Sequence, residues 1–149
     1  MDQSPENAQE KLAGVPAAME ASLALDGDGS RIAHARHLAA DFLAKVRDAH
    51  GLPVLTATVE IVQLIVSELV TNARKYAPGP ALLHLRATDG VLQIELSDSS
   101  PVLPAPKAAN PERVGQHGLE IVTALAQHVS VQATAAGKRV TAIVALSHP

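Results

Sequence analysis

Two stretches of the chain repeat apolar residues at intervals of three and four, which is the spacing of one face of an α-helix. They cover residues 31 to about 50 and residues 56–77. Gly51-Leu52-Pro53 and Pro78-Gly79-Pro80 follow them, and such residues end helices. We therefore predict two amphipathic helices. The second should bury one stripe: Val62, Ile65, Leu69, Ala73 and Tyr76.

Short runs that alternate between apolar and polar residues predict β-strands. Thr88-Asp89-Gly90 and Ala136-Gly137 each separate two runs and predict hairpin turns. A third helix is predicted from Gly118 to about residue 127. The predicted strands cover residues 21–26, 81–87, 91–97, 129–135 and 139–146. Adjacent hairpins exclude a doubly wound parallel sheet. They predict an α/β two-layer sandwich, with a mixed, mostly antiparallel sheet and helices on one face.

The domain organisation is predicted from the length of the chain and from the positions of its aperiodic and proline-rich segments. Residues 1–18 show little periodicity and are predicted to be a flexible leader, and residues 19–149 one domain. Residues 98–115 carry four prolines, at positions 101, 104, 106 and 111, and predict a long loop. Loops of that length inside a domain are usually functional or mobile.

Composition excludes several classes of protein. With 47% hydrophobic and 18% charged residues, the chain is not disordered throughout. Phe42 and Tyr76 are the only aromatic residues and the net charge is -3, so nucleic acid and anionic lipid are not expected partners. Cysteine is absent, which excludes disulfides and zinc–thiolate sites. No apolar run approaches the roughly 20 residues of a membrane span. We expect a cytoplasmic protein.

Two patterns in the sequence partly resemble metal sites. Residues 26–30 (DGDGS) begin like a calcium loop, but Arg31 and His37 stand where that loop needs Gly and Glu, so a turn with a helix cap is the better interpretation. His34 and His37 lie three apart on a predicted helix, and His117 lies far along the chain. No ligand set at the usual spacing completes them, so a transition-metal site is not predicted.

The second predicted helix carries the main candidate site. Glu68 and Asn72 are four residues apart and Lys75 is three beyond, so the three form a polar line along one edge of the apolar stripe. A half-buried Glu is costly unless it has a partner or a task. The alternative is a solvated helix face with polar pairs.

Two further features follow downstream. Asp98 ends a predicted buried strand, where its carboxylate would accept a hydrogen bond from a ligand amine or cap the next turn. Residues 115–119 (GQHGL) open the third helix, and glycines there let phosphate oxygens approach free backbone N–H groups.

The order and spacing of these elements resemble the GHKL ATPase superfamily. Residues 68–73 look like its N box, residues 98–101 stand where its first glycine box belongs, and residues 115–119 where its second belongs. Residues 67–73 (SELVTNA) and the DxSP-type box resemble most the bacterial anti-sigma-factor serine kinases. Arg36 and Gly137-Lys138 also suit that group. The resemblance covers residues 21–146 and implies the Bergerat nucleotide-binding fold of histidine-kinase-like ATPase domains.

The resemblance implies a role for each matching residue. Glu68 matches the catalytic base, Asn72 the Mg²⁺ ligand and Asp98 the acceptor of the adenine amino group. Lys75, Lys107 and Arg113 are candidates for neutralising phosphate charge. The implied contacts with the phosphates of ATP come from the second glycine box: Gly115, His117, Gly118 and Leu119.

The sequence departs from the family pattern at several positions. Residues 99–101 replace the glycines of the first box, Gln116 stands where another glycine is common, and Tyr76 replaces a His. On the last predicted strand, Arg139 stands where the family often places a Thr near adenine. Thr141, two residues on, is the candidate substitute.

The resemblance implies an ATP-binding serine/threonine protein kinase that uses Mg²⁺. Its implied partners are a small anti-anti-sigma (STAS-type) protein and a sigma factor, and it leaves a homodimer open. One alternative is a non-catalytic nucleotide-binding or protein-binding regulatory module of the same fold. Another is a scaffold that binds no nucleotide.

Overall fold

The computed structural model describes residues 18–25, 31–51, 53–76, 79–99 and 114–146. The predicted leader, apart from Ala18, and residues 100–113 of the predicted loop lie outside these ranges. The elements follow the predicted order: β1 (Ala18–Leu25), α1 (Arg31–His50), α2 (Thr56–Tyr76), β2 (Ala81–Thr88), β3 (Val91–Asp98), α3 (Val114–Leu125), β4 (His128–Ala133) and β5 (Lys138–Ala145).

The strands form one five-stranded sheet in the order β1-β2-β3-β5-β4. Each pair of neighbours is antiparallel. The three helices pack on one face of this sheet. The structure therefore confirms the predicted α/β two-layer sandwich with helices on one side.

Alternate residues of each strand point to opposite faces of the sheet. On β3 the face toward the helices carries Leu92, Ile94, Leu96 and Asp98, all buried. On β5 the same face carries Lys138, Val140, Ala142 and Val144. Each of these inner faces is apolar except at one end, where Asp98 and Lys138 are paired in register.

Helix α2 is the central helix of its layer, because it packs against α1, α3 and β3. Val62, Ile65, Leu69 and Ala73 are buried as the stripe predicts, and the side chain of Tyr76 lies outside the described part. Two further apolar residues of α2, Val66 and Val70, are also buried, because neighbours on three sides cover more than one stripe. Gln63 Nε2 donates to the Arg36 carbonyl at 3.0 Å and ties α2 to α1.

The turns and boundaries differ little from the prediction. Asp89 (φ 54°) and Gly90 (φ 77°) both have the positive φ of a type I′ hairpin turn, as the sequence indicates. Strand β1 begins at Ala18 rather than 21, since its first residues pair with the end of β2. Helix α3 begins at Val114 rather than Gly118, and its two glycines are weak helix formers. Within the described residues, no helix is both long and apolar enough to cross a membrane.

Candidate functional site

Helix α2 holds Glu68 and Asn72 one turn apart, about 6 Å along its axis. Glu68 is half-buried and Asn72 is buried, with 7% of its surface exposed. No hydrogen bond or ion pair joins either side chain to another described residue. The neighbouring Ser67 instead donates to the Gln63 carbonyl at 2.8 Å, within the helix. The polar groups of Glu68 and Asn72 therefore have no structural task among the described residues.

The carboxyl-terminal end of α2 lies close to the end of β3. A Cβ atom on Gly79, three residues after α2, would lie 2.8 Å from Ser99 Oγ, and Ser99 directly follows Asp98. Asn72 is one turn from the end of the same helix. The carboxyl-terminal turn of α2, which begins after Asn72, and the end of β3, which carries Asp98, therefore lie at the same end of the domain.

The carboxylate of Asp98 forms an ion pair that the sequence did not predict. Asp98 Oδ2 lies 2.9 Å from Lys138 Nζ, and the two side chains are 1% and 2% exposed. Lys138 has the largest fully buried side chain among the described residues. A signal was present in the sequence, because Lys138 is in phase with Val140, Ala142 and Val144 on β5.

Gly137 lets the beginning of β5 lie directly against the end of β3. A Cβ atom there would lie 2.1 Å from the Asp98 carbonyl oxygen and 2.7 Å from Ser99 backbone atoms. Thr134 N also donates to the Gly137 carbonyl at 2.8 Å and closes the β4–β5 turn. These contacts fix the backbone of Lys138 beside Asp98.

Thr141 does not lie beside Asp98 and Lys138. It lies on the other face of the sheet, where it is paired in register with Glu95 and Ser130. Arg139 lies on that face too, paired with Ser97. A shift of one residue along a strand moves each side chain to the opposite face. Lys138 is thus the residue of β5 that faces Asp98.

The second glycine box, residues 115–119, covers most of the first turn of α3 and the beginning of the second turn. The first four N–H groups of a helix have no partner within it, and this end of a helix attracts anions. The side chains of residues 114–118, which include His117, are outside the described part, as are those of Lys75, Lys107 and Arg113. Leu119 is partly buried and packs against the core. Phosphate binding by this turn stays a prediction.

The residues present suit one protein contact to Mg²⁺. Among the described residues, no group of three or more His, Asp and Glu side chains is arranged to hold a metal ion. Mg²⁺ prefers oxygen ligands and commonly takes one or two from the protein and the others from phosphates and water. The amide oxygen of Asn72 fits that chemistry.

Comparison with known proteins identifies the family. A sequence model of the histidine kinase-like ATPase domain matches residues 29–144. No curated protein sequence matches the chain significantly. The fold is similar to part of the crystal structure of the RsbU and RsbW domains of Rv1364c from Mycobacterium tuberculosis, with a TM-score of 0.62 and 19% identity, and the match covers 88% of this chain. That match covers 33% of the Mycobacterium tuberculosis chain. From the extent of the family match, the chain belongs to the histidine kinase-like ATPase domain family, the GHKL ATPases.

Proposed function

We propose that this chain is an ATP-dependent serine/threonine protein kinase of the anti-sigma-factor type. Its proposed substrate is a small anti-anti-sigma protein of the STAS type, whose phosphorylation controls the release of a sigma factor. The observation that carries the proposal is the pair Glu68 and Asn72, one turn apart and without a partner among the described residues. Family membership and the similarity to a structure containing an RsbW domain support it.

Glu68 and Asn72 have separate roles in the proposed phosphoryl transfer. The Glu68 carboxylate accepts the proton of a substrate serine or threonine hydroxyl, whose oxygen forms a bond to the γ-phosphorus of ATP. The bond from that phosphorus to the bridging oxygen breaks and ADP leaves. The Asn72 amide oxygen would hold Mg²⁺, which would supply positive charge to offset that of the phosphates.

The test uses the purified protein with γ-³²P-labelled ATP, Mg²⁺ and a serine-containing STAS protein from the same organism. We expect label to move to a serine or threonine of the STAS protein, and calorimetry to detect ATP binding. ATP binding without transfer to any STAS protein of that organism would exclude the kinase. Absence of ATP binding would exclude nucleotide chemistry altogether.

A second candidate function is a nucleotide-binding regulatory module without catalysis. The specific observation that favours it is Lys138, whose ammonium group contacts the carboxylate proposed to bind adenine. In the labelling experiment, this module would bind the STAS protein or ATP without transferring phosphate.

Replacing Asn72 with alanine should weaken binding of Mg·ATP more than binding of ATP without Mg²⁺. The amide oxygen contacts the metal in the proposed complex, so its loss matters only when the metal is present. Calorimetric titrations with Mg²⁺ and with EDTA measure the two affinities. Gln63→Ala removes an amide of the same helix that has a structural partner and serves as the control. An equal loss in both titrations would assign Asn72 to helix packing or to direct nucleotide contact.

A further inference from the structure

The carboxylate proposed to bind the nucleobase already has a cation in contact with it. Lys138 Nζ lies 2.9 Å from Asp98 Oδ2, and both side chains are almost completely shielded from water. The two residues are directly paired across β3 and β5. The contact is therefore built into the register of the sheet rather than made by flexible side chains at the surface.

The adenine amino group is a weaker partner for this carboxylate than the lysine. It is a neutral donor, whereas the lysine ammonium group is charged, and a hydrogen bond with an ionised donor is roughly twice as strong as a neutral one. Low local polarity increases this difference, because a buried ion pair is poorly screened. An amino group that approaches Asp98 must therefore share or displace the stronger partner.

Lys138 has little freedom to yield its place. Its backbone is held by the close approach of Gly137 to Asp98 and by pairing with β3. Asp98 is the one ion-pair or hydrogen-bond partner that the described residues give its ammonium group. A displaced ammonium group would lose that partner while still buried, which is costly.

We propose that Lys138 is an affinity-determining residue that competes internally with the 6-amino group of adenine for the carboxylate of Asp98. This inference rests on the proposed ATP site and specifies how that site treats the base. Lys138 makes the site almost indifferent to the amino group, so that ATP binding depends mainly on the phosphates. Without the ammonium group, the carboxylate should accept a hydrogen bond from the base more readily.

The test compares ATP with purine riboside 5′-triphosphate, which lacks the 6-amino group. In the unaltered protein the two dissociation constants should agree within about threefold, because one neutral hydrogen bond contributes little against a charged competitor. In Lys138→Met, ATP should bind about tenfold or more tightly than the analogue. Arg139→Met removes the same charge from the next position, on the other face of the sheet, and should leave the ratio unchanged.

Several results would overturn the inference. One such result is a tenfold preference for ATP over the analogue in the unaltered protein. Another is that Lys138→Met shows no preference between the two triphosphates. A third is that Lys138→Met binds ATP more weakly than the unaltered protein does, which would reveal a lysine contact to the base. Lys138→Gln keeps a neutral donor and should show an intermediate preference if the methionine variant does not fold. The comparison in the unaltered protein needs no variant at all. If neither triphosphate binds to the unaltered protein or to either variant, the proposed ATP site fails together with the inference. If both bind with the wrong ratio, the inference fails alone.

Discussion

Replacing Glu68 with glutamine is expected to slow phosphoryl transfer to the STAS protein by about 10²–10⁴-fold, the usual contribution of a general base. Glutamine has nearly the same size and shape as glutamate but does not accept the hydroxyl proton at neutral pH. The dissociation constant for ATP should change by no more than a few-fold, since the role proposed for Glu68 concerns the substrate hydroxyl. Single-turnover transfer of label and calorimetry measure the two quantities.

Glu60→Gln is the matched control for this experiment. Glu60 lies on the same helix, two turns before Glu68, and is exposed. It should transfer phosphate at the rate of the unaltered protein. Unchanged transfer by Glu68→Gln would remove Glu68 from the mechanism, and a large fall in its melting temperature would indicate a structural role.

Replacing Asp98 with alanine is expected to lower the free energy of unfolding by about 3–5 kcal/mol, because it leaves the Lys138 ammonium group buried without its partner. The double variant Asp98→Leu with Lys138→Met should recover most of that loss. Two apolar side chains of similar size replace a buried ion pair at little cost. Urea denaturation followed by circular dichroism gives the free energies.

An exposed ion pair provides the comparison. Arg47 Nε lies 3.2 Å from Asp48 Oδ1, and these side chains are 53% and 74% exposed. Asp48→Ala should change the free energy of unfolding by no more than about 1 kcal/mol, because water and salt screen a surface pair. A similarly small change in the free energy of unfolding for Asp98→Ala would mean that the structure around position 98 relaxes enough for water to reach Lys138.

The helices and hairpins could be predicted because their signals are local. The limits of α1 come from apolar spacing together with Gly51-Leu52-Pro53, and they agree with the structure at both ends. Asp89-Gly90 predicts the β2–β3 turn because these residues adopt positive φ most easily. The start of β1 was harder to predict, since Ala18 belongs to the strand through its pairing with Thr88, far along the chain.

The same difference between local and long-range signals applies to the candidate site. Glu68 and Asn72 share a helix, so their spacing alone predicts that they are neighbours. The partner of Asp98 depends on how β3 is aligned with β5, and neither strand carries that information by itself. The sequence pattern therefore indicates Thr141 as the candidate beside Asp98, whereas the observed register places Lys138 beside Asp98.

The order of the strands also determines when Asp98 comes into contact with Lys138 during folding. Strands β2 and β3, and likewise β4 and β5, are joined by short turns, so each hairpin can form from local contacts. The pairing of β3 with β5 closes a much longer segment that includes α3, at a greater cost in chain entropy. A chain emerging from the ribosome can thus form α1, α2 and the first hairpin while the Asp98 carboxylate still lacks Lys138. The contact between Asp98 and Lys138 forms only when the second hairpin joins the first.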